Sequence, residues 1–160
     1  MWYFRTVLAA IEDAITHALH AFSGDHQVPT TLVLLQPTSP LRKSSTISDA
    51  VRLFTENGSV GSVFGVIEAE HHPYKTLIAT DAIVQPVRTI EDLSRSRQDL
   101  PKAYRQSGSI YVVGVQDFLA NNSLFISPVR WIEVSSEEAI DVDTPADLEA
   151  VRQAARNANA

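Results

Sequence analysis

The stretch that most constrains this chain is a six-residue run, Thr30-Thr-Leu-Val-Leu-Leu35, with no polar face after its two threonines. A short apolar run of this kind predicts a strand buried on both sides. It lies between two amphipathic patterns. Over residues 6–22, Val7, Ile11, Ile15 and Leu19 recur at helical spacing, with Leu8, Ala18 and Phe22 beside them, which predicts a first helix. Over residues 46–57, Ile47, Val51 and Phe54 supply the apolar face of a second. Thr46 and Asp49 have the spacing of a capping box there, and Gly58 is placed to end the helix. Residues 61–69 (GSVFGVIEA) then predict another strand. Helix, strand, helix, strand implies an α/β fold with a mostly parallel sheet flanked by helices. Ligands of such sheets sit beyond the carboxyl ends of the strands, which is where residues 36–42 fall.

The remaining chain continues the pattern with one interruption. Residues 76–79 and 83–87 can pair as a hairpin across Thr80-Asp-Ala82, and a basic segment, 88–105, follows. Residues 109–113 predict a strand, 116–120 a short helix, and 129–134 a strand with alternating polarity. The last helix starts at Thr144, with Pro145 at its first position and Asp147 as the acid of its first turn. It is expected to run to about Arg156, with the last four residues frayed. At 160 residues, 44% hydrophobic and 20% charged, the chain is expected to form a single domain over residues 1–160 with its own core. A net charge of -6 argues against nucleic acid as a partner. The absence of cysteine excludes disulfides, thiolate chemistry and cysteine-ligated zinc, and fits a cytoplasmic home. The first apolar stretch is interrupted by Glu12, Asp13, His17 and His20, so no membrane span of roughly 20 apolar residues is expected. The start, Met1-Trp-Tyr-Phe4, lacks the basic opening of a signal peptide.

Several residues carry chemistry. In an extended Ile140-Asp-Val-Asp-Thr144, Asp141 and Asp143 face the same side, and a pair of hard oxygen ligands suits Mg²⁺. From spacing alone the alternative stands that one aspartate only caps the following helix. Arg88, Arg95, Arg97, Lys102 and Arg105 concentrate positive charge in an otherwise acidic chain, either as an anion site or as a solvated loop with surface ion pairs. The adjacent His71 and His72 point apart on a strand, so at least one is expected to be structural. Lys75 is a candidate contact to a phosphate or carboxylate and Gln36 to a sugar hydroxyl, with the alternative for each that it is simply solvated.

Four stretches, in order, resemble the acylneuraminate cytidylyltransferases: Leu34-Leu-Gln-Pro-Thr-Ser-Pro-Leu-Arg42, His72-Pro-Tyr-Lys75, Leu100-Pro-Lys-Ala-Tyr-Arg-Gln-Ser-Gly-Ser-Ile-Tyr111 and Ile140-Asp-Val-Asp-Thr144. The resemblance implies a nucleotide-transferase α/β fold, working as a homodimer in which a protruding arm helps complete the neighbour's sugar site. Here that arm is expected at about residues 70–124. The reaction it implies is transfer of CMP from CTP to the anomeric hydroxyl of a nine-carbon sugar acid, with release of pyrophosphate. It implies Mg²⁺ on Asp141 and Asp143, a catalytic role for these two and Arg97, and substrate contacts from Gln36, Lys75, Arg97, Arg105, Tyr111 and Phe125.

The sequence departs from the family pattern in three places. Nothing before Thr6 resembles the strand and Gly/Arg/Lys-rich loop that holds the triphosphate, so the chain is expected to be N-terminally truncated relative to the family and to bind CTP weakly alone. Gln106-Ser107-Gly108 stands where Pro-Asn-Gly is common, which puts a sugar contact in doubt. Leu124 stands where a first phenylalanine is frequent, which leaves Phe125 alone for the sugar face. The alternative function is a noncatalytic homologue that keeps the sugar and dimer surfaces as a binding or assembly subunit.

Overall fold

The computed structural model describes residues 11–23 and 29–158. The expected helix start at Thr6, the segment before it, most of the loop at 23–29 and the final two residues lie outside them. The described elements are α1 (Ile11–Ser23), β1 (Thr31–Leu34), α2 (Ser44–Glu56), β2 (Ser62–Glu68), β3 (Leu77–Thr80), β4 (Ile83–Pro86), α3 (Ile90–Ser94), β5 (Tyr104–Gly114), α4 (Val115–Asn121), β6 (Val129–Glu133) and α5 (Pro145–Ala158). Among these described residues, no helix is long and apolar enough to cross a membrane.

The α/β class expected from sequence holds, but the mostly parallel sheet does not. The main sheet has the order β1-β5-β2-β6, with β5 antiparallel to both neighbours and only β2 and β6 forming a parallel ladder. The reason lies in the chain path. After β2 the chain leaves the sheet, builds the β3–β4 hairpin and α3, and returns to the edge it left. The Ala69 N–H donates to the Ala103 carbonyl at 2.9 Å and closes the base of this excursion. A strand that starts from that edge must run back along β2. β1, β2 and β6 still point the same way, so their carboxyl ends and the start of β5 share one edge.

β5 organises the core. Ile110 and Val112 face α2 and pack with Val63, Ala50 and Phe54. Tyr111 and Val113 face the other way, toward Ile15 and Leu19 of α1, Phe64, and Val115 and Phe118 of α4. All four residues are buried, as strand alternation requires when both faces are covered. Ile110 and Val112, expected among the apolar residues of the arm, are therefore core. The excursion from the sheet spans residues 70–102, and 104–114 is sheet. The β3–β4 hairpin pairs as expected, from Leu77↔Pro86 to Thr80↔Ile83. Its side chains Leu77, Ile78, Ile83 and Val84 are all exposed.

Helix ends follow sequence cues unevenly. α5 starts as expected: the Thr144 N–H donates to Asp147 Oδ2 at 2.8 Å, and the Asp147 N–H donates to Thr144 Oγ1 at 3.3 Å. At the end of α2, Gly58 takes φ +74° while the Ser59 N–H reaches back to the Phe54 carbonyl at 3.0 Å, the glycine-terminated helix ending expected there. The start of α2 differs. The helix begins at Ser44, no side chain of its own caps it, and Thr46 is bonded elsewhere.

Two glycines near this turn separate conformational freedom from space. Gly58 has nothing within 4 Å of where a Cβ would stand, whereas at Gly61, also left-handed, that point is 2.0 Å from the Pro128 carbonyl oxygen. Gly58→Ala should cost about 1 kcal/mol from backbone conformation alone. Gly61→Ala should cost several times more, because backbone must move. Urea unfolding of the two variants checks this. Equal losses would show that the Gly61–Pro128 approach is not a constraint.

Candidate functional site

The loop that leaves β1 is held from several sides. The Ser39 N–H donates to the Gln36 carbonyl at 3.2 Å, and Arg42 Nη1 donates to the same oxygen at 2.6 Å. From across the fold, the Val142 N–H donates to the Thr38 carbonyl at 2.8 Å. Residues 140–143 thus run beside the loop, extended, with Ile140 and Val142 half-buried and Asp141 and Asp143 exposed. The alternation presents both aspartates on the open side, as their spacing predicts. They stand in the connection leading into α5, however, rather than at a strand end, because β6 stops at Glu133.

A third segment meets this pair from β5. Gly108 has φ +74°, and the point a Cβ would occupy there is 3.1 Å from Gln36 Oε1, 3.8 Å from Ser39 Oγ and 4.0 Å from Asp141 Oδ2. Any side chain at 108 would press on Gln36, so glycine keeps this junction open. Ser39 is fully buried, and its hydroxyl has no hydrogen-bond partner among the described residues. Beside the junction stands Tyr111, whose hydroxyl donates to Gln106 Oε1 at 3.4 Å. Burial, then the charge of Asp141, push its phenol above the ordinary range. Phe125 packs edge-on against Phe64 at 5.0 Å and Tyr111 at 6.2 Å, yet is 46% exposed. The structure therefore gathers Gln36, Tyr111, Phe125 and Asp141, with Asp143 two residues on, at the edge where β1, β2 and β6 end. No cluster of three or more His, Cys, Asp or Glu side chains able to hold a metal occurs among the described residues. Phosphate oxygens and waters would have to complete any shell on the pair.

The basic candidates lie apart, in and near the excursion. Lys75 Nζ donates to the Leu93 carbonyl at 3.0 Å and the Arg95 carbonyl at 2.5 Å, so two of its three protons brace the excursion itself. Arg88 and Arg95 both pair with Asp92, at 3.7 and 3.3 Å. Arg88 also lies over the Tyr74 ring at 4.5 Å, and Arg95 donates to the Asp99 carbonyl. Burial opposes ionisation of Asp92, but the Thr89 hydroxyl and the two arginines outweigh it and hold the carboxyl below its ordinary range. Arg97 and Lys102 remain exposed and line a pocket with His72 and Glu68 at the base of the excursion. Arg105 is exposed in a neighbouring pocket with His71 and Tyr104. His72 is structural: its Nε2 lies 2.8 Å from the Pro101 carbonyl, and its Nδ1 accepts from the Tyr74 N–H at 3.1 Å. Ser107, at the departure from Pro-Asn-Gly, points inward. Its hydroxyl shares a 2.7 Å bond with that of Ser109, and both hydroxyls fill the space beside Gly65.

Sequence reading missed Glu138. Its carboxylate, 4% exposed, accepts from the Lys43 N–H at 3.1 Å and Thr46 Oγ1 at 2.5 Å on one side. On the other it accepts from the Ser135 N–H at 3.3 Å and Ser135 Oγ at 3.0 Å. The Ser135-Ser-Glu-Glu138 spacing is itself that of a capping box, a signal present in the sequence. Its reach to α2 is a tertiary contact with no local signature.

No protein-family profile matches the chain. Among curated proteins, it is 33% identical over 132 residues to an N-acylneuraminate cytidylyltransferase of Streptococcus agalactiae, covering 81% of this chain and 31% of that protein. It is 30% identical over 118 residues to the CMP-N,N'-diacetyllegionaminic acid synthase of Legionella pneumophila, covering 73% of this chain and 50% of that protein. A Campylobacter coli protein named post-translational flagellin modification protein B is 30% identical over 124 residues, covering 76% of this chain and 51% of that protein. The chain is thus a relative of cytidylyltransferases. Within that class its similarity, over most of its length, is to the acylneuraminate cytidylyltransferase family, and it covers 31% to 51% of the length of these relatives.

Glu138 makes the junction pH-sensitive. Burial opposes its ionisation, but the bonds from Thr46, Lys43 and Ser135 prevail and lower its pKa. A depressed carboxyl stabilises the fold fully above its unfolded value, about pH 4.3, and loses that contribution as pH falls through the lowered folded value. The stability advantage of the natural chain over Glu138→Gln should therefore be present at pH 7 and shrink below about pH 4. Denaturant unfolding across this range checks it, and a constant advantage down to pH 2 would contradict it.

Proposed function

We propose that this chain forms the acceptor and metal side of a cytidylyltransferase that joins CMP to a nine-carbon sugar acid. The observation that carries the reading is the meeting of Gln36 and Asp141 at Gly108, with Tyr111 near enough to feel the Asp141 charge, at the edge where the parallel strands end. Its relatives, an N-acylneuraminate cytidylyltransferase and a CMP-N,N'-diacetyllegionaminic acid synthase, supply the substrate class.

In the proposed reaction the anomeric hydroxyl oxygen of the sugar attacks the α-phosphorus of CTP. A phosphorus–oxygen bond to the sugar forms, the α–β anhydride bond breaks, pyrophosphate leaves with its electron pair, and the hydroxyl proton passes to solvent. Mg²⁺ held by Asp141 and Asp143 would neutralise phosphate charge and make the phosphorus more electrophilic. The Gln36 amide is placed to bond a sugar hydroxyl. Tyr111 and the exposed Phe125 ring offer an apolar wall to the sugar's C–H edge. The sugar carboxylate needs a charged, planar partner, and Arg97 and Arg105 are exposed arginines without a carboxylate partner among the described residues. Lys75 retains one proton for a ligand. Titration of N-acetylneuraminic acid in the presence of Mg²⁺, followed by calorimetry, tests the reading. Gln36→Ala and Arg97→Lys should each weaken binding about ten-fold, the scale of one lost polar contact. Unchanged affinity in both would defeat it.

The proposal includes a homodimer. The excursion exposes Leu77 and Val84 on one face of the hairpin and Ile78 and Ile83 on the other, more apolar surface than a two-stranded ribbon can cover alone. Packed on a second copy, the excursion would deliver its arginines to the neighbour's acidic junction. Light scattering at micromolar concentration should give twice the 17.6 kDa of one chain. Ile78→Asp combined with Ile83→Asp should return it to monomer. A monomeric natural chain would contradict the arrangement.

A further inference from the structure

Asp141 and Asp143 belong to no helix and no ladder. Their segment is extended coil, and what places it against the Gln36 loop is a small set of cross-links. One is the Val142–Thr38 backbone bond. The other is Glu138, three residues upstream, whose carboxylate grips the first turn of α2 where the Gln36 loop ends. Between Glu138 and Asp141 the chain is taut: the Ala139 N–H donates to the Ser135 carbonyl at 3.1 Å, the Ile140 N–H to the Glu137 carbonyl at 3.3 Å, and Ala139 is buried. Glu138 thus sits in a hydrogen-bonded turn that ends one residue before Asp141, while the Asp143 N–H is held from the other side by Asp147 Oδ2 at 3.2 Å.

We propose that Glu138 is the positioning residue of the acidic pair, setting Asp141 and Asp143 against the Gln36 loop and so setting their affinity for a divalent cation; the cation clause rests on the function proposed above. The chemistry of the clamp requires a carboxylate. All four of its hydrogen-bond partners are donors, two backbone N–H groups and two hydroxyls, and the Lys43 ammonium adds a cation 4.0 Å away. A hydroxyl can turn round and accept, but an N–H cannot. Glutamine at 138 directs its NH₂ toward one of the two N–H groups and leaves that donor unpaired at a buried site. Aspartate keeps the charge but is one methylene too short to reach both segments. Both variants should loosen the junction while leaving the β5 core, built from apolar contacts elsewhere, in place.

The test uses the isotope-labelled chain. Amide exchange in Glu138→Gln and Glu138→Asp should accelerate at Val142 by about ten-fold or more, with Val112 and Val113 unchanged, and Mn²⁺ affinity should fall about ten-fold, as when an outer partner of a metal ligand is removed. Unchanged protection at Val142 would overturn the proposal. So would lost protection at Val142 with unchanged Mn²⁺ affinity, because Glu138 would then only stabilise the fold. Loss confined to the first turn of α2 would show a helix cap and nothing more, and would also overturn it. Asp143→Asn separates the two readings. If it leaves Mn²⁺ affinity untouched, the metal assignment fails, and the positioning of the segment by Glu138 is then decided by exchange at Val142 alone.

Discussion

The burial of β5 on both faces is the constraint on which the molecule depends. Ile110 and Val112 complete the core under α2, while Tyr111 and Val113 complete the core under α1 and α4. β1 and β2 both pair with this strand, and β6 joins the sheet through β2. Because β5 enters from the excursion, the same strand brings Gly108 and Tyr111 to the loop after β1 and fixes the excursion at the edge where β2 ends. Core and junction share a backbone, so a change that shifts β5 by one residue would exchange its side chains between the two cores and carry Gly108 away from Gln36.

The junction itself is built differently from the core. Apart from Gly108 and Tyr111, which β5 carries, its segments lie outside the ladders. Its shape comes from single hydrogen bonds between segments distant in sequence: Arg42 and Ser39 on the Gln36 carbonyl, Val142 on Thr38, and Glu138 on α2. Such bonds contribute about 1 kcal/mol each, and more where a charge takes part. They give geometry rather than bulk stability. Arg42 apart, the basic candidates lie elsewhere, in the excursion and at the start of β5, where Asp92 absorbs Arg88 and Arg95 and leaves Arg97, Lys102 and Arg105 exposed. Acidic and basic halves separated in this way suit a site completed between two copies, which is how the proposed dimer would use them.

Much of this was legible in sequence, and the remainder was hidden for identifiable reasons. The apolar run at 30–35 announced β1, and the Thr144–Pro145–Asp147 pattern announced α5, because both signals are local; the burial expected on both sides of β1 does not hold, since it is a half-buried strand at the edge of the described sheet. The direction of β5 was not local. It follows from where the excursion returns, and nothing in residues 104–114 encodes that. Thr46 and Asp49 have capping-box spacing, yet the helix begins two residues earlier at Ser44, which puts Thr46 inside the first turn and leaves its hydroxyl to donate to Glu138. Asp141 and Asp143 were singled out by alternation alone, whereas Ser39 and Gly108 matter only through neighbours brought from other segments. Lys75 stood out by motif, but its contacts to two carbonyls at the end of α3 show a bracing role that no spacing rule suggests.

The central claim is that the Gln36–Gly108–Tyr111–Asp141 junction receives a sugar acid. A crystal structure of the chain with a CMP-linked nine-carbon sugar acid and Mg²⁺ tests it most directly. The sugar should lie against Tyr111 and Phe125, its hydroxyls within hydrogen-bond reach of the Gln36 amide, with the cation between the phosphate and the carboxylates of Asp141 and Asp143. A ligand seated instead only in the Arg97–Lys102 pocket at the base of the excursion, with the junction empty, would contradict it.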